Sequence, residues 1–147
     1  MYKFFGKRVL DIAISLWTLI IVSPLLAVIS IILLVHTRKS PFFFQTRVGY
    51  RGKLFRVFKF KTLTDARDSE GLLLPDDLRS FPLGTFLRRY SLDELPQLVN
   101  IIKGDMSIVG PRPWIPEQLD VFPGRCRMAR CSVRPGLTGM AQVYGRN

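Results

Sequence analysis

The sequence predicts an α+β chain: an apolar membrane helix interrupted at Ser23-Pro24, then a small, mostly helical domain carrying a short β-hairpin. Three observations predict it. Ile12 to Val35 is a run of 24 residues without a charge. Two β-rich segments flank a turn at Gly49 and Gly52. Leu95, Leu98, Val99 and Ile102 recur at i, i+3, i+4 and i+7, one face of a helix.

Composition narrows the class of protein. The 147 residues carry a formal net charge of +11, yet 48% of them are hydrophobic. That much apolar surface excludes a disordered chain. Two cysteines exclude a disulfide scaffold. The length suits one domain of ordinary size. The basic excess calls for a polyanionic partner, a membrane surface, or both.

The charge-free run exceeds the roughly 18 residues that mark a membrane helix. No small-residue cleavage site follows it before Arg38 and Lys39, so it reads as a retained anchor. A buried soluble helix is the alternative, but the remaining chain is too small to surround it. Pro24 lacks an N–H and clashes with the preceding turn, so the helix kinks or breaks there. Each half, about 12 residues or roughly 18 Å, falls short of a hydrocarbon core of about 30 Å. Lys3, Lys7 and Arg8 precede the run, and Arg38 and Lys39 follow it. Basic flanks prefer the cytoplasmic side. A bent helix dipping into one leaflet satisfies both flanks; a kinked spanning helix remains open. Asp11, at the edge of the run, is one turn from Lys7 and Arg8 and can pair with either.

Beyond the anchor, Phe42 to Arg47 and Leu54 to Thr62 read as two strands. Gln45 to Lys61 carries Arg47, Arg51, Lys53, Arg56, Lys59 and Lys61 with interleaved aromatics and no acid. Alone, this resembles a nucleic-acid surface. Next to an anchor, anionic lipid or a small anionic ligand fits better. Thr64 to Asp77 holds Asp65, Asp68, Glu70, Asp76 and Asp77, which suits a solvated segment better than a metal site. Leu78 to Arg89 suggests a short helix interrupted near Pro82 and Gly84.

The periodic helix ends at Gly104. Its cap is placed at Asp93, which leaves Pro96 in the first turn, where its missing N–H is harmless. Asp93 and Glu94 then sit together at a helix N-terminus. They either cap the helix and neutralise its dipole, or form a site. For a site, an aspartate kept ionised by Arg88, Arg89 and the helix end can attack phosphorus. A neighbouring carboxylate can hold Mg²⁺. Gly110-Pro111-Arg112-Pro113 and Val133-Arg134-Pro135-Gly136 are stiff turns that present Arg112 and Arg134 with little freedom. Cys126 and Cys131 receive no role, and His36, the single histidine, lies at the end of the anchor.

Together these segments resemble the bacterial sugar transferase family, the monotopic phosphoglycosyl transferases that start glycan assembly on a polyprenyl carrier. The resemblance runs through Lys7-Arg8, Ser23-Pro24, Phe44 to Gly49 and Lys59-Phe60-Lys61-Thr62. It is strongest from Leu87 to Leu98. It continues through Gly104 to Ser107, Val109 to Pro113, Val133 to Gly139 and Gln142.

The resemblance implies transfer of a sugar 1-phosphate from a UDP-sugar to undecaprenyl phosphate with release of UMP, the first membrane step of bacterial glycan assembly. It makes Asp93 the nucleophile that forms a covalent phosphosugar intermediate and gives Glu94 a share in binding Mg²⁺. It assigns substrate binding to Lys59, Lys61, Arg88, Arg112 and Arg134. It bends the anchor at Ser23-Pro24 into a re-entrant helix. The expected organisation is therefore a re-entrant anchor over 1–40 and a catalytic domain over 41–147, on the cytoplasmic face of the inner membrane. The expected partners are a UDP-sugar, undecaprenyl phosphate and membrane lipids, with no nucleic acid; oligomeric state is not indicated. The family domain usually continues beyond the motif that closes at Gly145-Arg146-Asn147, so a catalytically silent scaffold lacking that tail is the alternative to an enzyme. A membrane-tethered nucleic-acid binder is a third reading, resting on Arg47 to Lys61.

Overall fold

Helix α1 occupies Tyr2–Thr37 in the computed structural model, which describes residues 2–119, 124–140 and 144. The side chains of Lys3 and Cys126, together with Gln142 and Gly145-Arg146-Asn147, lie outside the described residues. After α1 come β1 (Phe42–Val48), β2 (Leu54–Phe60), α2 (Asp76–Arg79), α3 (Pro82–Arg89), α4 (Leu98–Lys103), β3 (Ser107–Val109), α5 (Gly124–Cys131) and β4 (Gly136–Thr138). The mixture of helices and short strands agrees with the expected class. β1 pairs with β2 across the turn at Tyr50–Gly52, as the glycines predicted.

The helix does not break at Ser23-Pro24. Its helical assignment runs through Pro24 without interruption. The reason lies in the hydrogen bonding. Proline lacks the N–H that would donate to the carbonyl four residues back, that of Ile20. The Ser23 hydroxyl donates to that same oxygen at 2.8 Å, so the orphaned acceptor is satisfied.

The chain divides into two compact units. The first comprises residues 1–23, 44–58 and 97–147. Its core is Val57, Leu98, Ile101 and Met106, with Leu19, Val22, Phe55, Ile108 and Leu137 packed against them. Full burial of a Leu or Ile side chain stabilises by about 2 kcal/mol. α4 ends at Gly104 in the left-handed region, as expected. The face predicted from Leu95, Leu98, Val99 and Ile102 is not the buried one. Of those four only Leu98 is fully buried, and Asn100 and Ile101 are buried in place of the others. A 3₁₀ helix, Leu92–Gln97, leads into α4 and starts one residue before the expected cap. It turns with three residues rather than 3.6, so counting at the α period from Leu95 misplaces the face. Buried Asn100 accepts the Phe58 N–H at 3.0 Å and donates to the Arg56 carbonyl at 2.8 Å.

In the same unit α1 is tied down by polar contacts. Buried Asp11 accepts from Lys7 at 3.0 Å, from the Ser107 hydroxyl at 2.7 Å and from the Ile108 N–H at 3.3 Å. Lys7 donates also to the Ser107 hydroxyl oxygen. Arg8 does not pair with Asp11 but donates to the carbonyls of Ile102 (3.1 Å) and Met106 (3.3 Å).

The second unit comprises residues 24–43 and 59–96. Ile29, Leu33, Phe60, Phe81 and Leu87 form its core. The helical segment expected over Leu78 to Arg89 divides into α2 and α3. Pro82 starts α3, where its fixed φ and absent N–H cost nothing. Gly84 is buried against the Thr62 carbonyl, and a Cβ there would collide with it. This close approach brings Arg88, one turn further along α3, to Thr62.

Candidate active site

The second unit assembles four of the expected site residues. Lys59 lies near the end of β2, Arg88 in the last turn of α3, and Asp93 and Glu94 in the first turn of the 3₁₀ helix. The link between α3 and that helix is Tyr90-Ser91, with Ser91 at φ 56°. A left-handed residue reverses the chain sharply at a cost of about 1 kcal/mol. The reversal lets the Arg88 charge act on Asp93.

Lys59 Nζ donates to Glu94 Oε1 at 2.7 Å, and the two side chains are only 19% and 17% exposed. An ion pair so poorly hydrated needs its partner, because either charge alone would be buried and uncompensated. Arg88 Nε donates to the Thr62 hydroxyl at 2.9 Å, and its Nη2 lies 3.7 Å from Asp76. Asp76 also reaches Arg79 at 3.6 Å. Lys61 is engaged by Asp65 at 2.6 Å.

Asp93 is 8% exposed. Burial pushes its carboxyl above the usual aspartate range. The Lys59 charge pulls it down, the Glu94 charge pushes it up, and its own backbone N–H and Arg88 pull it down. The sequence pointed to a carboxylate held ionised by arginines and a helix end; in the fold, desolvation outweighs them. A desolvated aspartate is a stronger nucleophile once ionised, because fewer waters must be stripped from it.

The dyad also suits a metal of one type. Among the described residues no three His, Cys, Asp or Glu side chains form a cage. Two adjacent carboxylates instead fit Mg²⁺, which is held by one or two carboxylates with substrate phosphates and water completing the shell.

Arg112 and Arg134 belong to the first unit. The two proline-bounded turns that carry them are joined by a short parallel pairing of β3 with β4. Gly136 N–H donates to the Pro111 carbonyl at 2.9 Å and Gly110 N–H to the Thr138 carbonyl at 3.0 Å. Arg134 donates from Nε to the Gly104 carbonyl at 3.0 Å and lies 5.5 Å from the Tyr50 ring centre. Arg112 lines a small surface cleft with Trp114, Arg130 and Cys131. Arg130 covers the Trp114 ring at 4.3 Å.

Sequence reasoning did not single out Thr62, Asp76 or Asp65 as partners of the site cations. The alternation along β2 was the available signal for Thr62. The two aspartates sit in an acidic segment with no period to read.

Residues 2–147 match the family model described as bacterial sugar transferase. The chain is 41% identical to the "Uncharacterized sugar transferase EpsL" of Bacillus subtilis (strain 168), over 96% of this chain and 69% of that protein. It is 37% identical to the "Exopolysaccharide production protein ExoY" of Sinorhizobium fredii, over 97% of this chain and 70% of that protein. A "UDP-glucose:undecaprenyl-phosphate glucose-1-phosphate transferase" of Klebsiella pneumoniae is 38% identical over 95% of this chain, which spans only 31% of that protein.

Proposed function

This chain belongs to the bacterial sugar transferase family, and on that premise we propose that it is a phosphoglycosyl transferase, moving a sugar 1-phosphate from a UDP-sugar to undecaprenyl phosphate. One observation carries the reading: Asp93 is a desolvated carboxylate within the fields of Lys59 and Arg88. An Asp93 oxygen bonds to the β-phosphorus as the bond from that phosphorus to the UMP oxygen breaks, and UMP leaves with the electron pair. An oxygen of undecaprenyl phosphate then attacks the same phosphorus and displaces the aspartate, which is regenerated as carboxylate. The product is a sugar joined to undecaprenol through a diphosphate. Lys59 and Arg88 offset the charge that builds on phosphate oxygens during both displacements. Glu94, with Asp93, would hold Mg²⁺, which neutralises phosphate oxygens when bound. Arg112, Arg134 and Lys61 are further cations for the nucleotide and phosphate groups. Undecaprenyl phosphate, UDP-sugars and Mg²⁺ supplied together should yield UMP from at least one sugar donor; none from a wide panel would favour the silent scaffold.

We further propose that α1 is a re-entrant anchor, bent at Ser23-Pro24, with both ends on the cytoplasmic face of the inner membrane. Among the described residues α1 is the one helix long and apolar enough to cross a membrane. Its exposed side chains include Trp17, Ile20, Ile21, Ile31 and Val35, which a soluble core helix would bury. Its first turns are bonded to Ile102, Met106, Ser107 and Ile108, which follow the helix in the chain. A spanning helix would put those partners on opposite faces of the bilayer. With Cys126 and Cys131 replaced, a cysteine at Lys3 should resist an impermeant thiol reagent in intact cells. Labelling from outside would sink the re-entrant topology.

A further inference from the structure

Two ammonium groups in the second unit converge on a single atom. Lys61 Nζ lies 2.6 Å and Lys39 Nζ 3.1 Å from the same oxygen, Asp65 Oδ2. The three residues are unequal. Lys61 is 16% exposed and fixed just after β2, where its N–H still donates to the Pro41 carbonyl at 2.8 Å. Lys39 and Asp65 are well exposed. Asp65 serves as counter-ion to the poorly hydrated Lys61, but the Lys39–Asp65 pair is exposed on both sides and contributes little to stability, so the arrival of a second ammonium is weakly explained as a fold device. Two ammonium groups around one oxygen is, however, the arrangement that an oxygen of a phosphate monoester dianion would meet.

Position narrows the ligand. The apolar helix ends at Thr37, two residues before Lys39. On the membrane reading, Lys39 therefore stands at the level of lipid headgroups. Lys61 is two residues beyond Lys59 along extended chain, which puts their Cα atoms about 7 Å apart. Lys59 holds Glu94 of the dyad. A phosphate at Lys39 and Lys61 would thus sit beside the dyad, at the depth where a lipid acceptor presents its own phosphate.

We infer that Lys39 and Lys61 are the seat of the acceptor's terminal phosphate monoester, and that Asp65 occupies the two ammonium groups until the acceptor displaces it. This rests on the transfer activity proposed above and adds the subsite for its second substrate. Both lysines pull the Asp65 carboxyl below the usual aspartate range, so it stays an anion competing for the seat at neutral pH.

The test measures KM for undecaprenyl phosphate and for the UDP-sugar separately, with the full chain in neutral phosphatidylcholine nanodiscs. If the wild type releases no UMP, the transfer reading fails, and the subsite with it. If the wild type is active, Lys39→Gln and Lys61→Gln each raise the acceptor KM about tenfold relative to the UDP-sugar KM, the scale of one lost charge-assisted hydrogen bond. Asp65→Asn lowers the acceptor KM about threefold by removing the competitor. A merely structural salt bridge gives the opposite result, with Asp65→Asn raising the acceptor KM as the lysine variants do, and that overturns the inference. So does a Lys39→Gln variant that loses only its affinity for phosphatidylglycerol vesicles while its acceptor KM stays at the wild-type value.

Discussion

Replacing Asp93 by Asn is expected to lower UMP release by about a thousandfold or more, the scale of losing a catalytic nucleophile, while the protein stays in the membrane fraction. Asparagine keeps the shape and half of the hydrogen bonding but offers no anionic oxygen to phosphorus. Lys59 and Glu94 remain to satisfy each other at 2.7 Å, so no charge is stranded by the change. Stability should not fall. Burial raises the folded-state pKa of Asp93 above its unfolded value, so above both values the ionised carboxylate opposes folding. At neutral pH the Asn variant therefore melts no lower than the wild type, and any advantage it holds fades as pH falls through the raised folded-state value and is gone below the unfolded one. The same shift governs the wild-type rate. The nucleophile must be ionised, so activity falls as pH drops through a value above that of an ordinary aspartate. UMP release by the Asn variant at the wild-type rate would remove Asp93 from the nucleophile role.

The parts of this protein that the sequence made legible are those with a local cause. The long apolar helix follows from an uncharged run and the hairpin from glycines between β-rich segments. The adjacency of Asp93 and Glu94 is covalent. What it did not reveal depends on pairs distant in sequence. Asp11 was visible as an odd charge at the edge of an apolar run, but Ser107, which satisfies it, is 96 residues away. β3 and β4 have three residues each, too few to show a period, and Gly110 after β3 and Gly136 in β4 read as turn residues. Asp93 was legible as an acid among cations. Its burial was not, because desolvation is set by the tertiary packing around the 3₁₀ helix that carries it, which leaves no local pattern in the sequence.

Gly136→Ala is expected to destabilise the fold by about 3 kcal/mol or more, at the upper end of overpacking costs, and to lower the melting temperature by roughly 10 °C for a domain of this size. Gly136 opens β4 and is paired in register with Ser107 of β3. A Cβ there would overlap the Gly110 nitrogen, the Gly110 Cα and the Thr138 carbonyl oxygen. All three are backbone atoms, and none can swing aside as the end of a flexible side chain could. Relief requires β3 and β4 to separate. That separation would break the Gly136-to-Pro111 and Gly110-to-Thr138 hydrogen bonds that join the two arginine-bearing turns. It would also pull on Ser107, which holds Asp11 and hence the start of α1. Gly6→Ala is the matched control. Nothing lies within 4 Å of a Cβ at Gly6, and that residue is inside α1. There alanine should raise helix stability by up to about 1 kcal/mol. A Gly136→Ala protein melting within a degree or so of the wild type would mean that the two strands part easily. Arg112 and Arg134 would then be carried on turns that move independently rather than on one braced edge.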